Sequence, residues 1–223
     1  MSPESSLIHD LSNHTVRRAV VSEMQNNVYL ITAKGTGRQI LIDAADELPA
    51  INALLHDAAT DARVPAQLSL IATTHQHWDH VRALSGLVGE SGAPTAAGAA
   101  DAEGIAAECG VTTNQRLEHG DTLSVDGVQL TAIHLRGHTP GSIAYVLETG
   151  DESGPVIFTG DSLFPGGVGN TGEDPARFTQ LLNDVQERLF NEYPDAVVLP
   201  GHGNPTTLAA ERDSLPAWRE RGW

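Results

Sequence analysis

His75-Gln76-His77-Trp78-Asp79-His80 places three imidazoles and one carboxylate in a single short run. In an extended segment alternate side chains point the same way, so His75 and His77 can present their rings to one ion from one side of the backbone. Asp79 and His80 follow too closely to share that geometry; they suit a turn, aimed at a second ion beside the first. Imidazole and carboxylate are ligands that zinc, iron and manganese accept, and a paired site leaves room for a bridging water. The run predicts metal-dependent chemistry, against the plainer alternative of a solvated, histidine-rich turn.

Three later islands weigh against that alternative. Leu135-Arg136-Gly137-His138-Thr139-Pro140-Gly141-Ser142, Val156-Ile157-Phe158-Thr159-Gly160-Asp161-Ser162 and Val197-Val198-Leu199-Pro200-Gly201-His202-Gly203 each put a ligand type after an apolar run, among small turn-forming residues. Each reads as a buried strand delivering a ligand from its end. Glycines flanking His138 and His202 let the backbone approach an ion without a Cβ clash. Alone, any one island is an ordinary strand-end turn; with the first run, in this order, they complete a site.

On these motifs the sequence resembles the metallo-β-lactamase superfamily, and within it the short glyoxalase II-like hydrolases. The carriers are the His-x-His-x-Asp-His run, Gly137 to Ser142, Phe158 to Phe164 and Pro200 to Gly203, with Thr206-Thr207-Leu208 and Glu211-Arg212 similar to the segment that follows the last histidine in those members. The resemblance implies an α/β fold, the four-layer αββα sandwich, with ligands gathered along one edge between two sheets. It implies that His75, His77 and His138 hold a first metal, that Asp79, His80 and His202 hold a second, and that Asp161 bridges both. The implied cofactors are two divalent ions, zinc first, with iron or manganese as alternatives.

Water held between such ions loses a proton near neutral pH, while an ion polarises a carbonyl and stabilises the oxyanion that forms. Asp79 is the candidate catalytic residue, orienting that nucleophile and relaying its proton. The implied substrate is a small thioester or ester-like molecule of the hydroxyacylglutathione type. A mononuclear iron persulfide dioxygenase, holding one ion through two histidines and an aspartate, is the rival enzyme, and a lactonase is a further alternative. A non-catalytic binding module predicts loss of a ligand, and all seven positions are filled.

The sequence also departs from the glyoxalase II pattern. Only Gly203 to Trp223 follow the last histidine, so the helical extension that helps hold glutathione is expected to be absent. Asn170 stands in the region of a basic residue that meets the glutathione carboxylate, with Arg177 a candidate substitute. Val81-Arg82-Ala83 replaces the usual glycine pair, which makes Arg82 a candidate rim residue. Thr139 and Ser142 are candidates for hydrogen bonds to ligands or for stabilising their turn. Trp78 is expected to pack, because large aromatics usually bury area.

The 223 residues can form one layered domain spanning residues 1–223. With 13 basic and 29 acidic residues the formal charge is −16, which disfavours a nucleic-acid partner and leaves a small molecule as the expected one. Met1 to Leu11 has neither a basic start nor a long apolar run, so neither a secretory signal nor membrane association is expected. Cys109, the single cysteine, excludes an internal disulfide and reads as a structural thiol in a cytoplasmic protein.

Pattern predicts strands at Val16–Ser22, Val28–Thr32 and Gln39–Ile42, with turns at Asn26-Asn27 and Gly35-Thr36-Gly37. A helix over Pro49–Ala59 and a buried strand at Leu68–Thr73 follow. A helix over Val81–Val88 would turn its positive end to Asp79. Residues 93–110 are too rich in small residues for their pattern to decide. Strands are expected at Leu123–Val125, Val128–Leu135, Ile143–Glu148, Val156–Thr159 and Val197–Leu199. Asp174-Pro175 should cap a helix that turns Phe178, Leu181, Leu182, Val185 and Leu189 to the core. His9, His14, His56, His119 and His134 carry no motif, and solvated or strand-end roles are expected for them.

Overall fold

The apolar strands of this chain pair into two sheets that face each other. The structure, a computed structural model, describes residues 5–151 and 154–222, so the start of the Met1–Leu11 stretch lies outside the described residues. The first sheet holds β1 (Ser6–Asp10), β2 (His14–Val21), β3 (Asn26–Ala33), β4 (Arg38–Ile42), β5 (Gln67–Ala72), β6 (Thr95–Gly98) and β7 (Gln115–Leu117), in that spatial order. Its first four strands are antiparallel, and β4 to β7 run parallel. The second sheet is ordered β15 (Thr206–Thr207), β14 (Val197–Pro200), β11 (Val156–Gly160), β10 (Ile143–Leu147), β9 (Val128–His134) and β8 (Thr122–Val125). A small hairpin, β12 (Leu163–Phe164) with β13 (Gly167–Val168), follows Asp161.

Side-chain alternation sorts the strand residues into layers. Tyr29 and Ile31 of β3 meet Tyr145 and Phe158 in a core between the sheets. Val28 and Leu30 face the opposite way, onto Ile51 and Leu54 of α1 (Leu48–Ala58), Leu84 and Leu87 of α2 (Leu84–Ser91) and Ile105 of α3 (Ala102–Cys109). On the far side, Ala144, Val146 and Ile157 pack against Phe178, Leu181, Leu182 and Val185 of α4 (Pro175–Val185). Leu208 of α5 (Leu208–Arg212) and Trp218 of α6 (Leu215–Arg221) complete that layer. The order is helix, sheet, sheet, helix, the αββα sandwich. Among the described residues no helix is long and apolar enough to cross a membrane.

The expected strands and the α4 helix form where pattern placed them, and Asp174 caps α4 by accepting from the Ala176 and Arg177 amides. The helix continues as a π turn over Gln186–Phe190, which brings the expected Leu189 into the same core. Asn26 and Asn27 are strand residues, buried, and the β2–β3 turn falls before them, with Ser22 and Gln25 at positive φ. The turn-forming habit of Asn is overridden here by hydrogen bonds to the other sheet. The helix expected from Val81 begins at Leu84, because Trp78–His80 closes a separate 3-10 turn. Residues 93–110 divide into β6 and α3. Cys109 is half-buried, its Sγ 3.2 Å from the Ile105 carbonyl, and burial raises its pKa.

Candidate metal centre

All seven expected donors converge where strands β5, β11 and β14 end and where the chain leaves β9. His75, His77 and His138 form one group able to hold an ion, and Asp79, His80 and His202 form another. Ring centroids lie 4.8 Å apart for His75–His138 and 4.5 Å for His77–His138, and 5.1 Å for His80–His202. Asp161 stands between the groups: Oδ2 is 3.7 Å from His138 Nε2 and 3.5 Å from His202 Nε2, and Oδ1 is 3.5 Å from His80 Nε2.

The way the rings are held decides which nitrogen faces inward. His138 Nδ1 donates to the Asn170 carbonyl at 2.7 Å, His202 Nδ1 to the Met24 carbonyl at 2.9 Å, and His80 Nδ1 to Asp43 Oδ2 at 2.9 Å. The Thr74 hydroxyl donates to Asp43 Oδ2 at 2.7 Å, so it accepts from His75 Nδ1 at 3.0 Å. With Nδ1 engaged on its outer partner, Nε2 is the nitrogen of each of these rings that faces the site, the atom a metal-ligating histidine presents. His75 Nε2, His138 Nε2 and Asp161 Oδ1 are buried without a hydrogen-bond partner. Buried polar atoms are normally paired, so these inward donors fit a cation.

The two groups differ electrostatically. Burial lowers the His75 pKa far below its ordinary value, helped by the neighbouring imidazoles of His80, His138, His77 and His202. Burial lowers His138 as well, against the pull of Asp161. For His80 burial also opposes charge, yet the Asp161 and Asp43 carboxylates raise its pKa to about 10. His202 is likewise raised against burial, by Asp79 and Asp161. Asp79 is held well below the carboxylate range despite burial, by His202, His80 and the Asn26 amide. Its Oδ2 accepts from Asn26 Nδ2 at 2.9 Å, so a side-chain amide takes the place of the expected helix end.

Three supports have no counterpart among the sequence motifs. Asp43, at φ 60 just past β4, accepts from the Thr74 amide at 2.7 Å as well as from the Thr74 hydroxyl and His80. Its place after the apolar Gln39–Ile42 run repeats the strand-then-carboxylate pattern of Asp161, and that was the available signal. Asp101 joins the loops of His77 and His138, accepting from the Gln76 amide at 3.0 Å, the Thr139 hydroxyl at 2.5 Å and the Gly141 amide at 2.6 Å. Asn27 Nδ2 donates to the Pro200 and Gly203 carbonyls, bracketing His202. Gly201 must be glycine on space alone, since a Cβ there would stand 2.3 Å from Asp161 Oδ1 and 2.7 Å from His80 Cε1.

The remaining candidates take other places. Thr139 and Ser142 bond each other at 2.6 Å and stabilise their own turn. Trp78 is 43% exposed rather than packed, with the Arg82 guanidinium 3.9 Å over its ring and Arg82 paired to Asp46 at 2.7 Å. The cation over its face and the 3-10 turn hold this ring outward. Asn170 serves His138 through its carbonyl, and its side chain accepts from the Gly172 amide at 2.7 Å. His119 and His56 are exposed, and His134 ends β9 with its ring 2.8 Å from the Pro140 carbonyl. His14 is buried, 2.7 Å from the Gly127 carbonyl.

The family model for the metallo-beta-lactamase superfamily matches residues 21–202. Hydroxyacylglutathione hydrolase GloC of Haemophilus influenzae is 34% identical over 99 residues, 44% of this chain and 45% of that protein. The chain therefore matches less than half the length of that relative. Among solved structures, ETHE1 from Myxococcus xanthus aligns with a TM-score of 0.71 at 28% identity, covering 92% of this chain and 84% of that one. TTHA1623 in a di-iron-bound form aligns with a TM-score of 0.66 at 30% identity, covering 87% of this chain and 96% of that one.

Proposed function

Because the chain belongs to the metallo-β-lactamase superfamily, we propose that it is a dinuclear metal-dependent hydrolase of a small thioester or ester-like substrate. The observation that carries this reading is the convergence of seven donors with Asp161 between the two groups. His75, His77 and His138 are assigned to one ion, Asp79, His80 and His202 to the other, and Asp161 to both. The likeness to the hydroxyacylglutathione hydrolase supports the thioester class, and the likeness to the di-iron structure supports a paired site. Zinc is the metal proposed first, with iron and manganese compatible with the same donors.

Two such ions, when bound, supply an activated water and a Lewis acid for the substrate carbonyl. The chain's own groups do the positioning. Asp79, held ionised, would accept a hydrogen bond from the water that such ions supply and so orient it; Asn26 fixes its carboxylate by donating to Oδ2. Arg136, Arg177 and Gln180 line a cavity of about 600 Å³ that opens beside His77 and His138. Its size suits a small molecule. No nucleic acid is proposed as a partner, since the formal charge is −16.

A one-iron oxygenase is the second reading, because the three unpartnered donors, His75 Nε2, His138 Nε2 and Asp161 Oδ1, are two imidazoles and a carboxylate. Elemental analysis of the purified protein, with assays of thioesters, lactones and a glutathione persulfide, separates the two. Two ions per chain and thioester or ester cleavage are expected. One iron with oxygen consumption on the persulfide would replace the proposal.

A further inference from the structure

We propose that Arg177, on the first turn of α4, is a positioning residue that sets where His138 reaches into the metal centre. The inference rests on the reading of His138 as a metal ligand given above. Arg177 Nε donates to the Gly137 carbonyl at 2.8 Å, and Nη2 donates to the His138 carbonyl at 2.5 Å. The sequence offers Arg177 as a binder of a substrate carboxylate, but these two donors of its fork are taken by the main chain of the ligand loop.

The same helix holds the loop at a second point. Asp184, buried, accepts from the Arg136 amide at 2.9 Å and from its guanidinium at 2.8 and 2.7 Å. Further along, Arg188 on the π turn donates to the His134 carbonyl. Residues 134, 136, 137 and 138 are thus tied to one continuous helical face. Contact is close: Gly137 sits at φ 137, and a Cβ there would fall 2.5 Å from the Arg177 carbonyl oxygen and 2.6 Å from Leu181 Cβ. The loop therefore lies directly on α4 with no side chain between them.

His138 differs from the other donors in this dependence. His75, His77, Asp79 and His80 share one run with its own 3-10 turn, and His202 is bracketed by Asn27. The ring of His138 is fixed at Nδ1 by Asn170 and the residues after it by Asp101, while the peptide that carries it is held by Arg177 and by the close seat of Gly137 on α4. A planar fork that meets two successive carbonyls restrains rotation of the peptide between them, which a single donor cannot do. Arg177→Ala removes that restraint while leaving the ring, the Asn170 bond and the helix core in place.

The test is competition between full-length protein and a metal-responsive chelator, with zinc and then manganese, on wild type, Arg177→Ala and Arg177→Lys. Unfolding of the metal-free forms is followed beside it. Two ions are expected on wild type. Arg177→Ala should weaken one of them by roughly 10–100-fold, the range for outer hydrogen-bond partners of a ligand. The other should keep its affinity within about twofold, and Arg177→Lys, with one donor point, should recover part of the loss. Unchanged affinities in Arg177→Ala, or equal weakening of both ions, would overturn the inference while leaving the dinuclear reading intact. A wild type that binds no ion removes that reading and this inference with it. If Arg177→Ala does not fold, an Arg177→Lys protein that folds and binds both ions as wild type does also overturns it.

Discussion

His75, His77 and His138 on one side, and Asp79, His80 and His202 on the other, sit with the His75 and His80 rings only 4.2 Å apart, yet they are built differently. The first group has no carboxylate of its own, and two of its inward nitrogens are buried without a partner. The second is paired within itself: His202 Nε2 is 3.3 Å from Asp79 Oδ2, and His80 Nε2 is 3.2 Å from His202 Nε2. Asn26 adds further polar support on that side, while Asp43 serves both groups, reaching His80 directly and His75 through the Thr74 hydroxyl. A cation entering the first group meets lone pairs with nothing to exchange, whereas one entering the second must replace existing contacts. On the dinuclear reading proposed above, the contrast predicts two ions of unequal affinity, the tighter one at the histidine group.

Asp161 is the carboxylate that stands between the groups, so its loss tests the comparison most severely. Asp161→Ala is expected to cut turnover by more than about 100-fold, beyond the usual effect of outer positions, and to lower the metal content of both groups together. Turnover assays with elemental analysis check it. Unchanged turnover and stoichiometry would remove Asp161 from the bridging role.

The next largest effect separates the groups. His138→Ala should abolish the tighter of two binding steps in a stepwise metal titration, and His202→Ala the weaker one. If His202→Ala removes the tighter step, the internal pairing of the second group strengthens metal binding rather than competing with it, and the order of affinities must be reversed.

The same contrast shows what a sequence can and cannot carry. The convergence of the seven candidate residues was legible because ligand types at fixed spacing, set after apolar runs, have little use outside a metal site. Their supports were not. Asp43 acts on Thr74 and His80, and Asn26 acts on Asp79 and His202, across separations that no local pattern records. Asn26 and Asn27 read as turn formers because Asn favours turns, yet cross-sheet hydrogen bonds bury them in β3. Periodicity gave the layers, since alternation in β3 divides Tyr29 and Ile31 from Val28 and Leu30. It failed between 93 and 110, where alanine and glycine fit strand and helix alike. Trp78 was expected to pack because its mass is apolar, and the arginine four residues on reversed that.

The smallest expected effect concerns how each group is joined to the opposite sheet. Tyr145 of β10, in the second sheet, donates to the Thr73 carbonyl at 2.9 Å, two residues before His75; Tyr29 of β3, in the first sheet, donates to the Pro200 carbonyl at 2.8 Å, two residues before His202. The ties are reciprocal, and both hydroxyls are buried, which raises both tyrosine pKa values. Losing a buried donor costs about 0.5–1.5 kcal/mol when the acceptor keeps another partner and about 1–3 kcal/mol when it is left unsatisfied, so the two positions should not cost the same. The Pro200 carbonyl keeps the Asn27 amide at 2.9 Å, and the Tyr29 ring keeps its edge contact with Phe158. Tyr29→Phe should therefore fall in the first range and Tyr145→Phe in the second, by urea unfolding of the metal-free protein. In metal titrations Tyr145→Phe should weaken the tighter step, because Thr73 leads into the histidine group, and Tyr29→Phe the weaker. Equal unfolding costs, or one step weakened by both variants, would mean that the sheets align the site as a single body and that the difference between the groups lies only in their donors.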